Sequence, residues 1–435
     1  MTTHFLVLSN YGLRLLFHEA QTRSADMIAR DPVLGPMAAI FTHGRSPLRE
    51  VSLADHLFEM GLVTRVDASV DEAAVRLRYA RNPLEHVTRL VFEFTRRCNF
   101  RCKHCRNAGV REAPERRTTA TLEAVDAMAA IGVRRFDFIG GEVTKFGDGW
   151  LDVVRRASRV KGATVGVVTN GWFLEEECFE AAGEPYPDDV SYLRGLGNQG
   201  VTHMFFSLDG PAAVHDRWRR RPGLHARILR SFDRVREAGL VPRVSLVLRK
   251  GESREWLEPV ARAAYPTANS AAEAMTLLFQ DDTNYVSNFI DVGAGAQLRR
   301  GGFRLEDVPD DLLRCKSYFR PSPSLRIQAN GELSTCPLLD AGEGYGNVSE
   351  RGLVSVLNGM QDAFVYRLHA DNRIARYRHL VSPDWFGDRV EHVCSVRAAL
   401  TLIARELDEQ GIDPGNERAA QRVVGHVAER TRCTA

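Results

Sequence analysis

The chain has 435 residues, 44% hydrophobic and 26% charged, the composition of a soluble globular protein of two or three domains. Its 58 basic and 56 acidic residues leave a formal net charge of +2, which argues against a broad phosphate-binding face and so against nucleic acid as the partner. No apolar run approaches the roughly 18 residues of a membrane span, and no basic leader precedes a long apolar core at the start. The eight cysteines therefore read as metal or redox chemistry in a cytoplasmic protein, not as disulfides.

Residues 1 to about 85 form a first unit. His4–Leu8 and Leu13–His18 alternate as a hairpin around Asn10-Tyr11-Gly12, helical patterns follow near Ala25–Thr42 and Leu48–Met60, and Leu62–Val66 reads as a last strand. From residue 88 to about 290 strands and helices alternate. The expected strands are Leu90–Thr95, Arg134–Ile139, Thr164–Thr169, Thr202–Ser207, Arg243–Leu248 and Ala274–Phe279. Helices are expected at Ala120–Ile131, Trp150–Val160, Gly223–Ala238 and Arg254–Tyr265, with a shorter one at Glu175–Ala182 that buries Cys178. Six such repeats predict an α/β fold with a parallel sheet and right-handed crossovers, curved or closed into a barrel. Beyond 290 the alternation stops. Gly293, Gly295, Gly301 and Gly302 mark a linker over 291–312, and the segments Leu325–Gln328 and Glu332–Thr335 flank the turn Ala329-Asn330-Gly331 as a hairpin. Helices at Val396–Leu407 and Glu417–Glu429 close the chain, with Cys433 near its end.

The chemistry concentrates where the first barrel strand ends. Cys98, Cys102 and Cys105 share one loop, with three residues between the first pair and two between the second. Three thiolates this close suit a soft metal centre. Zinc usually takes four protein ligands in two separated pairs, and buried unligated thiols are the other plain alternative. A four-iron cubane on three cysteines leaves one iron open to a small molecule. The next three strands deliver Gly140-Gly141-Glu142, Thr169-Asn170-Gly171 and Ser207-Leu208-Asp209-Gly210 to the same carboxyl-terminal rim, where α/β folds bind ligands. Two glycines admit a close backbone approach, and Glu142 supplies an anion. Asn170 and Ser207 suit hydroxyl groups, although Asn-Gly and Asp-Gly also form turns unaided. The run from His215 to Arg221 offers Arg217 or Arg221 to a carboxylate, or a solvated basic patch able to receive acidic substrate residues.

The cysteine spacing followed by these motifs in this order resembles the radical S-adenosylmethionine (radical SAM) superfamily, over roughly residues 88–395. The resemblance implies a partial (β/α)6 barrel with a [4Fe–4S] cluster on Cys98, Cys102 and Cys105, whose open iron chelates the amino and carboxylate groups of S-adenosylmethionine. Gly140, Gly141 and Glu142 would hold the amino group. Thr169, Asn170, Ser207 and Asp209 would line the ribose and methionine portion, and Arg217 or Arg221 would pair with the carboxylate. His104 stands where the family usually has an aromatic residue and keeps a flat ring. The spacing Cys315–Gly331–Cys336, with Cys394 downstream, resembles the C-terminal SPASM or twitch extension of the family. The dense run of four cysteines of the full SPASM form is absent, so the shorter twitch form is expected, with one auxiliary iron–sulfur cluster on Cys315, Cys336 and Cys394. Its fourth ligand stays open among Asp340, Glu391, His392 and Cys433, or the substrate. The N-terminal unit loosely resembles the winged-helix peptide-recognition domain fused to peptide-modifying members, with a plain structural extension as the alternative.

The implied activity is reductive cleavage of S-adenosylmethionine to a 5′-deoxyadenosyl radical that abstracts a hydrogen atom from a substrate carbon. The implied partners are an external electron donor such as flavodoxin or ferredoxin and a precursor peptide, which would be matured by a crosslink or another carbon-centred modification. A radical dehydrogenase or epimerase of a small metabolite and a non-enzymatic metal-binding regulatory protein are the alternatives.

Overall fold

The computed structural model describes residues 4–44, 46–47, 51–67, 69–105, 118–147, 149–174, 179–181, 183–248, 253–281, 285–288, 308–313, 315, 323–336, 344–381 and 393–432. Its strands in chain order are β1 His4–Leu8, β2 Ser46–Pro47, β3 Val63–Asp67, β4 Arg89–Thr95, β5 Arg135–Gly140, β6 Thr164–Thr169, β7 Phe179–Ala181, β8 Glu184–Tyr186, β9 His203–Leu208, β10 Val241–Leu248, β11 Tyr285–Asn288, β12 Ser324–Ile327, β13 Glu332–Ser334 and β14 Gly346–Asn347.

The centre is one sheet in the order β11-β10-β9-β6-β5-β4-β12-β13-β14. From β4 to β11 the neighbours pair in parallel and in chain order, with helices in the crossovers, as in the expected partial barrel. Strand β10 shows why this face forms. Pro242, Val244, Leu246 and Leu248 are buried, while Val241, Arg243, Ser245 and Val247 on the other face are only half-buried. The sixth parallel strand is β11. Ala274–Phe279, read above as that strand, lies in the helix Ala271–Gln280. A capping box decides it: Ser270 Oγ accepts from Glu273 N at 3.1 Å, and Glu273 Oε2 accepts from Asn269 N at 2.6 Å. Likewise Phe179–Ala181, read as part of a helix, pairs antiparallel with β8. Cys178 and the linker glycines lie outside the described residues.

In the N-terminal unit β1 lies between β2 and β3 in an antiparallel sheet. The expected hairpin is not formed: Asn10–Ala20 is a helix, begun by Ser9, whose hydroxyl accepts from Gly12 N at 2.9 Å. The helical stretch near Ala25–Thr42 is two helices, Ala25–Arg30 and Leu34–His43, separated where Asp31 Oδ1 accepts from Val33 N and Leu34 N, both at 2.9 Å. This unit is bonded to the far end of the chain. Asn10 Nδ2 donates to Leu357 O (3.0 Å), Tyr11 N to Asn358 Oδ1 (3.0 Å), and Asn358 Nδ2 to Gly61 O (2.7 Å).

The expected C-terminal hairpin is β12–β13, with Gly331 at φ +89° in its turn. β12 also pairs in parallel with β4, so the extension continues the barrel sheet. One apolar core runs from the N-terminal sheet through the barrel to Tyr366, and a second joins Val308 and Leu313 to the last two helices, Val393–Glu409 and Glu417–Arg432.

Candidate functional site

Cys98, Cys102 and Cys105 follow β4 as half-buried thiols outside any disulfide. Their loop is held by backbone bonds, Cys105 N to Cys102 O (3.3 Å) and Lys103 N to Trp218 O (2.7 Å). Burial pushes the Cys102 thiol up to about 12 and raises Cys98, and each of these two sulfurs also feels the charge of Cys105. Three thiolates here therefore call for a cation to hold them in the ionised form.

The glycine pair is explained by this loop. Gly141 N donates to Thr95 O (2.7 Å) and Glu142 N to Arg97 O (2.8 Å). A Cβ on Gly140 would lie 2.1 Å from Thr95 O, and one on Gly141 would lie 1.9 Å from Arg97 O. Only glycine lets β5 run its rim turn flush against the cysteine loop.

Glu142 is fully buried. Its Oε1 accepts from the Thr144 (2.6 Å) and Thr169 (2.9 Å) hydroxyls, and its Oε2 accepts from Asn170 N (2.7 Å). Burial raises its carboxyl pKa, against the lowering effect of these bonds. Thr144 Oγ1 in turn accepts from Trp172 Nε1 at 2.8 Å. The side chain thus ties the second rim motif to the third. Asn170 completes the tie: its Nδ2 donates to Asn99 Oδ1 (3.0 Å) and to Cys98 Sγ (3.6 Å).

At the fourth rim strand Ser207 is half-buried near the end of β9, and Asp209 is almost wholly buried beyond it. Arg219 donates to the Asp209 carboxylate from Nε (2.6 Å) and Nη2 (3.3 Å), and His104 Nε2 lies 3.3 Å from Asp209 Oδ2. Burial opposes ionisation of Asp209, but Arg219, His104 and His215 together hold it well below the usual carboxylate range. His215 is pulled down to about 3 by burial and accepts from Asp209 N at Nδ1 (3.2 Å). The two arginines singled out from sequence, Arg217 and Arg221, are both exposed, and Arg221 places its guanidinium 4.8 Å from the centre of the Phe100 ring in the cysteine loop. The buried arginine of the cluster is Arg219, which sequence reasoning passed over. The helix Ala212–Arg219 carries the signal: His215, Trp218 and Arg219 share its buried face at three- and four-residue spacing.

Cys315, Cys336 and Cys394 also lie outside any disulfide. Cys315 and Cys394 lie close enough for their charges to interact, and buried Tyr345 feels both Cys315 and Cys336. Cys315 N donates to His369 Nδ1 (3.1 Å), and the other ring nitrogen of His369 lies 3.4 Å from Thr401 Oγ1, so this histidine is engaged on both sides. Asp340, Glu391, His392 and Cys433 lie outside the described residues.

Among the described residues no three His, Cys, Asp or Glu side chains converge on a single ion. Three thiols in one short loop suit a polynuclear cluster, where each cysteine takes a different iron. The buried, unpartnered Nδ1 of His104 in the same loop also suits a site built around a further group.

Residues 92–264 match the model of the Radical SAM superfamily. The chain carries a radical SAM domain. The cofactors of that superfamily are a [4Fe–4S] cluster and S-adenosylmethionine. The chain is 28% identical over 169 residues to an AdoMet-dependent heme synthase of Methanosarcina barkeri, covering 38% of this chain and 44% of that protein. It is 24% identical over 285 residues to the antilisterial bacteriocin subtilosin biosynthesis protein AlbA of Bacillus subtilis, covering 61% of this chain and 58% of that one. The chain thus spans about half the length of these two curated relatives. Among solved structures, Streptococcus suis SuiB bound to its precursor peptide SuiA superposes with a TM-score of 0.45 at 13% identity, over 84% of this chain and 90% of that one. No helix among the described residues is long and apolar enough to cross a membrane.

Proposed function

We propose that the chain is a radical SAM enzyme that matures a ribosomally made peptide. The observation that carries the reading is the cysteine loop at the carboxyl end of β4, packed against the glycine turn of β5 and touched at Cys98 by Asn170 from β6. Cys98, Cys102 and Cys105 would hold the cluster. When bound, that cluster with S-adenosylmethionine supplies a 5′-deoxyadenosyl radical able to take a hydrogen atom from an unactivated carbon.

The chain's own residues bind and orient. The Gly140-Gly141 turn holds the β5 rim flush against the cysteine loop, Asn170 braces that loop through Asn99 and Cys98, and Ser207 offers a short polar group to hydroxyls or to the methionine portion. Glu142 and Asp209 keep the neighbouring motifs in register. Both candidate partners for a carboxylate, Arg217 and Arg221, are exposed, and Arg221 is the better placed because its guanidinium lies against the Phe100 ring of the cysteine loop. Cys315, Cys336 and Cys394 would hold the auxiliary cluster. The buried apolar rings Trp172 and Phe173 beside the β6 rim help keep water from the reacting groups.

The peptide substrate is supported by the subtilosin-pathway relative, whose match extends over 285 residues, well past the 169 aligned with the heme synthase. The N-terminal unit would receive part of the precursor. Eight cysteines, with none of those described in a disulfide, suit work in a reducing cytoplasm with flavodoxin or ferredoxin as electron donor. Co-expression with a short peptide encoded beside the gene, followed by mass spectrometry, tests the reading. A loss of hydrogen mass that disappears in Cys102→Ala is expected. An unmodified peptide alongside turnover of a small metabolite would turn the reading to the dehydrogenase or epimerase alternative.

A further inference from the structure

We propose that Arg219, Asp209 and His104 are positioning residues that clamp the cysteine loop and set the electrostatic potential at the cluster it would hold. The inference rests on the reading of that loop as an iron–sulfur site.

Three independent ties join the loop to the helix Ala212–Arg219 and the residue after β9. Lys103 N donates to Trp218 O at 2.7 Å. The His104 ring lies on Trp218 at 5.2 Å between centroids, and its Nε2 reaches Asp209 at 3.3 Å. Asp209 is itself anchored by both Arg219 donors and by its backbone bond to His215. The carboxylate therefore stands between a fixed guanidinium and the residue next to Cys105. Side-chain exposures of 8% for Arg219 and 1% for Asp209 leave little water to screen these charges.

The cation is the unusual member. Arg219 reaches the cysteine loop through Asp209, whose carboxylate takes both its donors and lies 3.3 Å from His104 Nε2, between Cys102 and Cys105. A thiolate-ligated cluster gains a negative charge on reduction. A buried cation beside it favours the reduced form, more strongly than the same charge in water would. Asp209 fixes the cation so that it neither swings towards solvent nor onto a substrate. Arg219 thus has a different task from Arg221: its fork is already committed to Asp209.

The test uses the full chain, reconstituted anaerobically with iron and sulfide, and an EPR-monitored redox titration of the cluster on Cys98, Cys102 and Cys105. Arg219→Met should keep its iron and move the reduction equilibrium at least tenfold towards the oxidised form, about 59 mV for one electron. Arg219→Lys, which keeps the charge, should stay within threefold of wild type. His104→Phe keeps a ring on Trp218 but cuts the Asp209 tie, and should release iron to a chelator at least threefold faster. If Arg219→Met does not fold, Asp209→Asn/Arg219→Met removes both charges and should return the equilibrium to within threefold of wild type while iron release is faster. An Arg219→Met equilibrium within twofold of wild type, a tenfold shift in the neutral pair, or unchanged iron release in His104→Phe overturns the inference. A wild-type chain that binds no cluster at all would instead overturn the reading it rests on.

Discussion

Replacing Glu142 tests whether the rim is organised by its carboxylate. In Glu142→Ala the backbone N–H of Asn170 loses its acceptor in a buried place, which costs about 1–3 kcal/mol by itself. The Thr144 and Thr169 hydroxyls lose bonds to a charged acceptor, and the truncated side chain leaves a gap. Partly offset by relief of the burial penalty on the acid, the sum comes to roughly 3–4 kcal/mol. Glu142→Gln keeps an oxygen for Asn170 N, and its amide can donate to both threonine oxygens, so the loss should be about 1 kcal/mol. The pH dependence has a definite sign. The native carboxyl pKa is raised, so the folded state holds the proton more tightly than the unfolded one. That contribution is complete below the ordinary glutamate value and is lost as pH rises through the raised native one. The advantage of wild type over Glu142→Gln should therefore shrink as pH rises from the ordinary glutamate value. Urea denaturation of the iron-free protein measures it, with Trp172, bonded to Thr144, among the fluorescent reporters. If Glu142→Ala falls within about 1 kcal/mol of Glu142→Gln at neutral pH, the carboxylate does not organise the rim and the reasoning fails.

Gly141→Ala forces a Cβ against the backbone of Arg97 and should cost about 3 kcal/mol, with a matching loss of iron uptake. Gly425→Ala, in a helix with nothing within 4 Å of the new carbon, should stabilise by up to about 1 kcal/mol and leave iron uptake unchanged. Cys102→Ala should lose the iron of one cluster and all S-adenosylmethionine cleavage, whereas Cys336→Ala should lose the iron of the other and keep some uncoupled cleavage; iron analysis with EPR separates the two. Asn358→Ala removes the acceptor of Tyr11 N and the donor to Gly61 O, and should cost about 2 kcal/mol, read as faster hydrogen exchange at Tyr11.

Much of this architecture is legible along the chain, because the barrel is built from local repeats. β4, β5, β6, β9 and β10 are runs of β-branched and aromatic residues bounded by turn formers, and the first four end in the motifs they deliver to the rim. The errors fall where local patterns compete. Ala274–Phe279 is apolar throughout, so hydrophobic periodicity cannot separate strand from helix, and the Ser270–Glu273 capping box is the signal that decides it. Leu13–His18 alternates like a strand, yet Ser9 starts a helix just before it and Gly12 is needed where a Cβ would meet Leu62 O at 2.0 Å. In the site, the sequence places each motif on the rim but not what holds it there. The bonds from Glu142 to Thr169 and Asn170, and from Asp209 to His104, join residues far apart in the chain. Choosing Arg219 among four neighbouring arginines required the helix phase.

The most direct test of the account is the fate of S-adenosylmethionine on the anaerobically reconstituted, dithionite-reduced chain. Chromatography with mass detection should show 5′-deoxyadenosine and methionine from the wild type and neither from Cys98→Ala. An iron-loaded wild type that leaves S-adenosylmethionine intact would contradict the assignment of the cysteine loop.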